Sequence, residues 1–390
     1  MDLVQQINNF FMELKMKYSY GDIAISPSVL SEIEHRSECN PFDNNGFLPI
    51  FTAPMSCVVN ESNFEIFEKN HIYPILPRNI DFNIRIKNSL ENKWSAFSLS
   101  EFKDFFCNEE MASELLKVSK KALIDVANGH MKCLYDIVKK AKTLYGNSLT
   151  VMIGNIANPE TYKVACESGV DFIRCCIGVG EGCTSSSNVA IHYPNVSLIS
   201  EIKEIKKELE DKKNTLKQNN NLFTLTRIIA DGGIRNYSDV IKAIAIGADY
   251  VMIGGLLSKM VESAAKTFII NENDVIEIDT TKTKILEQDG KFILYNDEMK
   301  EPIEVEKVYK EFYGMSSKKG QIDINGIKTK TSEGTEKILE CKTNLHKWSD
   351  NMKSYIQSAM SYTNNKTLEE LKNNTKVILI SNNTKNSINK

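Results

Sequence analysis

The sequence of 390 residues predicts an α/β protein, a (βα)8 TIM barrel with a flap or insertion after the eighth strand. Short runs rich in valine and isoleucine recur, and a stretch of helical periodicity follows most of them. The runs are apolar throughout, as in parallel strands that are buried on both faces. Strands that alternate with helices indicate βα units, and eight such units fit a closed barrel. An open doubly wound sheet is the alternative architecture.

The predicted elements follow one another in chain order. The strands are 47–53, 72–76, 93–98, 122–126, 149–154, 170–176, 226–231 and 249–254. The helices are 61–70, 109–119, 130–145, 159–168, 197–211, 237–247 and 256–268. Active sites of such barrels lie at the carboxyl ends of the strands, so the loops that follow the strands are where we expect chemistry.

Composition divides the chain into three parts. They are an N-terminal helix and lead-in segment (1–46), the catalytic barrel with an insertion or flap at about 268–335 (47–372), and a polar, disordered tail (373–390). Inside the insertion, residues 284–295 have the alternating pattern of a β-hairpin. Residues 314–334 are rich in glycine, serine, lysine and threonine, which predicts a mobile loop.

Composition and charge argue against several classes of protein. Lys and Arg number 48 against 51 Asp and Glu, and this balance lacks the basic excess of a nucleic-acid-binding protein. No apolar run is long enough to cross a bilayer, and the amino terminus does not have the pattern of a signal peptide. The nine cysteines are scattered without a CxxC pair, as in a reduced protein of the cytoplasm. We therefore expect a cytoplasmic protein with neither nucleic-acid nor membrane partners.

The glycine-rich segment IGVGEGCT (177–184) follows the sixth predicted strand. Glycines at 178, 180 and 182 allow positive φ and a close approach of the backbone to a ligand. Cys183 would then stand at the mouth of the barrel, where dipoles and cations can activate a thiolate. The alternative is a tight loop with an incidental buried cysteine, and a single motif of this kind favours that alternative.

Two consecutive strands end in small residues, IADGGI (229–234) and VMIGG (251–255). Each is followed by a predicted helix start, where backbone N–H groups can bind phosphate. Asp231 is suited to accept hydrogen bonds from ribose hydroxyls. An ordinary βα turn would satisfy either motif alone, but barrels often build a phosphate site after strands seven and eight.

Two weaker motifs complete the set. The segment DVANGH (125–130) places a carboxylate, Asp125, at a strand end, where it can bind a polar ligand. The alternative is an ordinary strand, turn and helix N-cap, which the same residues would also form. The segment TSEG (331–334) holds Glu333 in a polar loop, where a lone glutamate is usually only solvated.

Together these motifs resemble the IMP dehydrogenase/GMP reductase family from about Tyr20 to Leu371, with insertions. The segments that carry the resemblance are GDIAISP (21–27), FTAPMS (51–56), IGVGEGCTSS (177–186), the stretch from IADGGI to GGLL (229–257), FYGMSS (312–317) and SAMSYTNNKTLEEL (358–371). The stretch at 229–257 is the most specific of them.

The resemblance implies a covalent mechanism on a purine nucleotide. The Cys183 thiolate adds to C2 of the base. In the reductive direction GMP loses its amino group as ammonia, and a hydride from NADPH gives IMP. In the alternative direction NAD accepts hydride from IMP, and water releases XMP. A third alternative is a non-catalytic purine-nucleotide-binding protein.

The resemblance also implies which residues bind each ligand. The substrate residues are Met55, Asp231, Gly232, Gly233, Gly254, Gly255, Tyr313, Gly314 and Met315. The cofactor residues are Asp125, Ala127, Asn128 and Gly129, and a K+ ion could bind at Gly178, Gly180 and Cys183. Proteins of the family are commonly homotetramers, so we expect a homo-oligomer.

Three features place the sequence nearer to GMP reductase than to IMP dehydrogenase. The segment ANG (127–129) resembles the reductases, and KTSEG (330–334) resembles their RASEG segment. Glu333 would pair with the hydroxyl of Ser185 to protonate the leaving amine. We also find no Arg-Tyr pair suited to the dehydrogenase's water activation.

Several positions depart from the family pattern. Ser185 replaces a threonine, Glu181 and Gly255 replace serines near the phosphate, and Ser56 replaces the aspartate of the APMD motif. A carboxylate such as that of Glu181 is unfavourable beside a phosphate unless it turns away or meets a cation. These changes indicate a divergent branch of the family.

Overall fold

The computed structural model describes residues 16–180, 185–271, 274–288, 290–296, 301–327, 331–332 and 334–388. Its central feature is an eight-stranded parallel sheet. A parallel bridge between Phe51 and Tyr73 joins the two end strands, so the sheet curls into a barrel. The predicted (βα)8 architecture is therefore confirmed.

The strands are numbered in chain order. Those outside the insertion are β1 (Ile23–Ser26), β2 (Ile50–Thr52), β3 (Ile75–Leu76), β4 (Trp94–Phe97), β5 (Lys120–Asp125), β6 (Leu149–Ile156), β7 (Phe172–Cys175), β8 (Arg227–Asp231), β9 (Tyr250–Ile253) and β17 (Lys376–Leu379). Those of the insertion are β10 (Thr267–Asn271), β11 (Asp274–Ile278), β12 (Lys284–Gln288), β13 (Lys291–Tyr295), β14 (Ile303–Val305), β15 (Tyr309–Tyr313) and β16 (Glu336–Glu340). The barrel strands lie in the order β2-β9-β8-β7-β6-β5-β4-β3. Each of the eight predicted barrel strands overlaps one of them.

The α-helices of the described residues are numbered in the same way. They are α1 (Phe64–Lys69), α2 (Phe82–Leu90), α3 (Leu99–Phe106), α4 (Glu109–Leu115), α5 (Lys132–Tyr145), α6 (Thr161–Glu167), α7 (Ser185–Val189), α8 (Asn195–Asp211), α9 (Lys213–Asn219), α10 (Tyr237–Ala245), α11 (Lys318–Asn325), α12 (Leu345–Tyr362), α13 (Leu368–Asn374) and α14 (Asn382–Ile388). The sequence did not predict α2 and α3, which begin at the caps Asp81 and Ser98.

The helix predicted at 256–268 is wrong. A single 3-10 turn (Leu257–Lys259) follows the glycines after β9, and the chain then enters β10. β10 pairs with both β11 and β15, and its run of Thr, Phe and Ile suits a strand. Tertiary pairing has thus overridden a helical periodicity.

A layer of aromatic side chains fills the interior of the barrel. Phe51 contacts Trp94, Phe172 and Tyr250 with ring centroids 5.2–6.0 Å apart. At the amino end of the strands, the Asp43 carboxylate accepts hydrogen bonds from Tyr73 (2.6 Å) and Tyr250 (3.0 Å). This end of the barrel is therefore packed, and the open space lies at the carboxyl ends of the strands.

The insertion after β9 forms two antiparallel sheets, β11-β10-β15-β16 and β12-β13-β14. The predicted hairpin at 284–295 is confirmed by the pairing of β12 with β13. The loop predicted at 314–334 contains a helix instead, α11. Its N-cap is Ser317, and it ends at Gly326 with a left-handed φ of 75°.

The carboxyl-terminal segment is also more ordered than its composition predicts. β17 pairs antiparallel with β1, and α14 follows it, so the prediction of a disordered tail is wrong for residues 373–388. The apolar run Val377 to Ile380 in an Asn/Lys-rich background supplies the strand. The helix expected near the amino terminus falls mainly on residues 1–15, outside the described residues.

The described part of the chain has no helix with the length and hydropathy needed to span a bilayer.

A buried ion-pair cluster ties the outer helices to the barrel and gives a first testable prediction. Asp249 contacts Lys206 of α8 and Lys372 of α13, both at 2.7 Å, and is 11% exposed. Burial alone would raise the pKa of Asp249, but the two lysines outweigh it and lower the pKa below its usual 3.8. We expect Asp249→Asn to lower the free energy of unfolding by about 3 kcal/mol at neutral pH.

The pH dependence has a defined sign. Because the folded-state pKa of Asp249 is depressed, its contribution is complete well above pH 4 and is lost as the pH falls through the folded pKa. Urea unfolding at several pH values should therefore show the gap between wild type and Asp249→Asn shrinking in acid. Glu65→Gln, which removes an exposed pair with Lys69, is the control and should change stability by less than about 0.5 kcal/mol. A gap that stays constant with pH would contradict the assignment.

Candidate active site

A cavity of about 970 Å³ opens at the carboxyl ends of the barrel strands. Most of the residues that the sequence singled out for ligand contact line it. They are Met55, Asp125, Ala127, Asn128, Gly178, Gly180, Asp231, Gly232, Gly233, Gly254, Gly255, Gly314 and Met315. The fold thus gathers at one place motifs that are up to 260 positions apart in the chain, from Met55 to Met315.

The remaining predicted residues have other positions. Gly129 packs behind the lining, where its N–H group donates to the Asn155 carbonyl (2.8 Å). Tyr313 is buried beneath the flap. Cys183 and Glu333 lie outside the described residues, as does Glu181. Ser185 is the first residue of α7, close in sequence to the cavity-lining glycines.

Two glycine turns border the region where the sequence predicts a phosphate. Gly232 and Gly233 have φ values of 101° and 74°, which glycine adopts without strain. Among the described residues, no backbone hydrogen bond uses the N–H group of Gly233, Gly254 or Gly255. These N–H groups are therefore available to an anion at the cavity wall.

The turn at Gly233 gives a second prediction. A Cβ atom at Gly233 would lie 2.5 Å from Asn195 Nδ2, and the left-handed φ would add about 1–2 kcal/mol of strain. We expect Gly233→Ala to weaken nucleotide binding at least about tenfold, because the N–H group must move. Gly46→Ala is the matched control, since Gly46 has a φ of 80° but nothing within 4 Å of its added Cβ.

Gly46→Ala should lower the melting temperature through backbone strain and leave nucleotide affinity unchanged. Thermal unfolding and titration calorimetry on both variants separate the two effects. Equal nucleotide affinities in Gly233→Ala and wild type would show that this turn does not take part in nucleotide binding.

Arg174 connects the two sides of the cavity. Its Nη1 atom lies 2.5 Å from Asp125 Oδ1, and its Nη2 atom lies 2.9 Å from Asp231 Oδ2. Asn155 Nδ2 donates to the same Asp231 oxygen (2.7 Å) and to the Cys176 carbonyl (2.9 Å). Neither Arg174 nor Asn155 was among the residues predicted from the sequence. A charged residue inside the apolar run VDFIRCC (170–176) was the available signal.

Arg78 is a second cationic side chain at the cavity that was not predicted from the sequence. It lines the cavity near Asp125, and its Nη1 atom is 3.5 Å from the Asp125 carbonyl. Its Nε atom is buried and has no hydrogen-bond partner among the described residues. An orphaned guanidinium donor beside open space is suited to an anionic ligand group.

Cys176 places a thiol at the cavity wall. It has a φ of 103°, uncommon for any residue but glycine, and it is 2% exposed. Burial raises the pKa of the Cys176 thiol well above its usual value of 9.0. Cys176 is therefore held as a neutral thiol, which is a poor nucleophile.

The flap helix α11 is attached to the barrel through a shared carboxylate. Asp323 Oδ2 accepts hydrogen bonds from Ser56 Oγ (3.0 Å) and from the Tyr313 hydroxyl (2.5 Å). Ser56 stands where the family motif has aspartate, and here Asp323 brings a carboxylate from another segment to that position. The departure at Ser56 is thus accompanied by a new contact between barrel and flap.

The structure is thus a (βα)8 barrel whose cavity is bordered by the glycine turns and by two carboxylates, Asp125 and Asp231, that Arg174 bridges. Residues 108–280 match the sequence profile of the IMP dehydrogenase / GMP reductase domain. The chain is similar to this family over those residues, which include the motifs at 177–186 and 229–257 that carried the resemblance.

Individual relatives are similar over most of the chain. A GMP reductase of Mesoplasma florum is 25% identical over 368 residues, 93% of this chain and 98% of its own length. A GMP reductase of Staphylococcus epidermidis is 28% identical over 365 residues, 91% of this chain and 94% of its own. One of Staphylococcus aureus is 28% identical over 368 residues, with the same two coverages.

Proposed function

We propose that this protein is a GMP reductase-like oxidoreductase that converts GMP to IMP and ammonia with NADPH. One observation carries the proposal: the glycine turns, Asp231 and the segment that begins at Asp125 all line the same cavity. The similarity to GMP reductases over more than nine-tenths of the chain supports the same activity.

The nucleotide is proposed to occupy the half of the cavity near β8 and β9. The free N–H groups of Gly233, Gly254 and Gly255 would bind the phosphate. Asp231 receives its protein hydrogen bonds from Arg174 and Asn155 on Oδ2, so Oδ1 is left for a ribose hydroxyl. Met55 and Met315 supply apolar surface for the base.

The other half of the cavity suits a nicotinamide cofactor. Asp125, Ala127 and Asn128 line it, and the unpartnered Nε atom of Arg78 fits one of the cofactor's phosphates. When bound, the cofactor supplies the hydride that reduces C2 of the purine. The choice of NADPH over NADH rests on the family resemblance.

The covalent steps are assigned to residues of the cysteine loop and the flap. The Cys183 thiolate forms a bond to C2, and the amino group leaves with its electron pair as ammonia after protonation. Glu333, acting with the Ser185 hydroxyl, supplies that proton. After C2 has accepted hydride, the C2–S bond breaks, its electron pair returns to sulfur, and IMP is released.

Three further features accompany the proposal. A K+ ion bound by carbonyl oxygens of Gly178, Gly180 and Cys183 would order the cysteine loop. Gly178 and Gly180 both line the cavity, and the Gly178 carbonyl accepts a hydrogen bond from Ser186 Oγ (2.9 Å). A homotetramer and a cytoplasmic location complete the proposal.

A spectrophotometric assay of the purified full chain tests the activity. GMP-dependent loss of NADPH, with IMP and ammonia formed in equal amounts, is the expected result. NADH formation from IMP and NAD would instead identify an IMP dehydrogenase. Tight nucleotide binding without turnover of either cofactor would identify a non-catalytic nucleotide-binding protein.

A further inference from the structure

Three residues in register form a row across neighbouring strands of the barrel. Asp125 on β5 pairs with Gly154 on β6, and Gly154 pairs with Arg174 on β7. A Cβ atom at Gly154 would lie 2.4 Å from Arg174 Cβ. Only a residue without a side chain at position 154 leaves room for Arg174 to cross β6 and reach β5.

The guanidinium of Arg174 bridges two carboxylates from different strands. Nη1 contacts Asp125 Oδ1 at 2.5 Å, and both Nε and Nη2 contact Asp231 Oδ2 at 2.9 Å. The side chain is 8% exposed. The planar guanidinium is bonded to a carboxylate on each side, so it cannot move without displacing Asp125 or Asp231.

Each carboxylate keeps one oxygen outside these bonds. Asp125 uses Oδ1 and Asp231 uses Oδ2, so Asp125 Oδ2 and Asp231 Oδ1 receive no hydrogen bond from Arg174. Both carboxylates line the cavity. In the proposed function, Asp231 faces the nucleotide and Asp125 faces the cofactor. The guanidinium therefore links the two halves of the site without having to touch either ligand.

We propose that Arg174 is a positioning residue that couples nucleotide binding to cofactor binding. This inference rests on the proposed function, because it needs both ligands in the cavity. A ribose bound to Asp231 fixes that carboxylate and, through the guanidinium, also fixes Asp125. The second ligand then binds to a carboxylate that is already ordered, so the protein loses less conformational entropy in this second binding step. The effect must be reciprocal, because it is a coupling free energy.

Titration calorimetry on the full chain measures the coupling. GMP and NADP+ do not react with each other, so each dissociation constant can be determined with and without the other ligand. In wild type we expect each ligand to tighten the other by the same factor, about fivefold or more. Arg174→Lys keeps the charge but lacks the fork, so the factor should fall to about one while GMP alone still binds.

Asp125→Asn provides an independent variant if Arg174→Lys does not fold. It leaves the Arg174–Asp231 pair intact and removes the charge on the cofactor side. We expect GMP affinity to change by less than about threefold and the coupling factor to fall to about one.

Lys142→Met is the matched control. Lys142 forms an ion pair with Asp171 (3.0 Å) and is 6% exposed, but this pair lies at the amino ends of β6 and β7. It should lower the melting temperature and leave the coupling factor unchanged, so a loss of coupling cannot be ascribed to stability alone.

The outcomes separate this inference from the proposed function. If wild type binds both ligands independently, or if coupling persists in a folded Arg174→Lys or Asp125→Asn variant, the inference is wrong and the proposed function stands. If wild type binds neither GMP nor NADP+, the proposed function fails first.

Discussion

Cys183→Ala is expected to lower the rate of GMP-dependent NADPH oxidation on the order of 10⁴-fold or more, because the variant lacks the thiolate that is proposed to form the covalent bond to C2. The affinity for IMP should stay within about threefold of wild type, since phosphate and ribose are bound by other residues. Steady-state assays and calorimetry on the same preparation give both quantities. Residual turnover above about 1% of wild type would contradict the covalent role.

Cys133→Ala is the control for this variant. Cys133 is an exposed cysteine on α5, and it does not line the cavity. Its removal should leave both turnover and affinity unchanged. Loss of activity in both variants would indicate a general sensitivity to cysteine replacement.

The second large effect is expected from Glu333→Gln. Removing a general acid typically costs about 10²- to 10⁴-fold, and here the loss should fall on departure of ammonia. In single-turnover experiments, the covalent purine intermediate should form more slowly in this variant. The reverse reaction, in which IMP, ammonia and NADP+ are converted to GMP and NADPH, should be impaired to the same extent.

Measuring hydride transfer by itself tests whether Glu333 acts only in the departure of ammonia. An intermediate formed from a 2-chloro purine nucleotide needs no protonated amine, so its reduction by NADPH should be nearly normal in Glu333→Gln. Glu304→Gln, at an exposed glutamate paired with Lys291, is the control and should behave as wild type. Equal losses of rate in ammonia departure and in hydride transfer would contradict the assignment of Glu333 as the proton donor.

The barrel could be predicted because its strands are buried on both faces. An apolar run such as that of β6 or β9 stands out from any background, and eight such runs leave few alternatives to a closed barrel. The helices were harder to predict. α2 has a weak apolar face, and its identity depends on the Asp81 cap, whose hydrogen bonds become apparent only in the folded chain.

Two strands, β10 in the insertion and β17 in the tail, were not predicted, for a different reason. β10 and β17 are strands because partners exist for them, β11 and β15 for the first and β1 for the second. Strand formation of this kind depends on pairing with distant segments, which local propensity does not reveal.

The cavity motifs were predictable, but their connections were not. Glycine turns and strand-end carboxylates are local signals, and the fold places them together. Arg174 lies 49 positions from Asp125 and 57 from Asp231, so no spacing rule joins the three. The Asp323 contact with Ser56 spans 267 positions in the same way.

Cysteine trapping is the most direct test of the central claim, that Cys183 meets C2 of a purine nucleotide at the barrel mouth. A 2-chloro purine ribonucleoside monophosphate should alkylate a thiolate there, with chloride leaving as the C–S bond forms. Cleavage after Glu181 separates Cys183 from Cys175 and Cys176, so mass spectrometry can assign the adduct. We predict one adduct, on Cys183, prevented by excess GMP. An adduct on Cys176, or none despite bound nucleotide, would contradict the account.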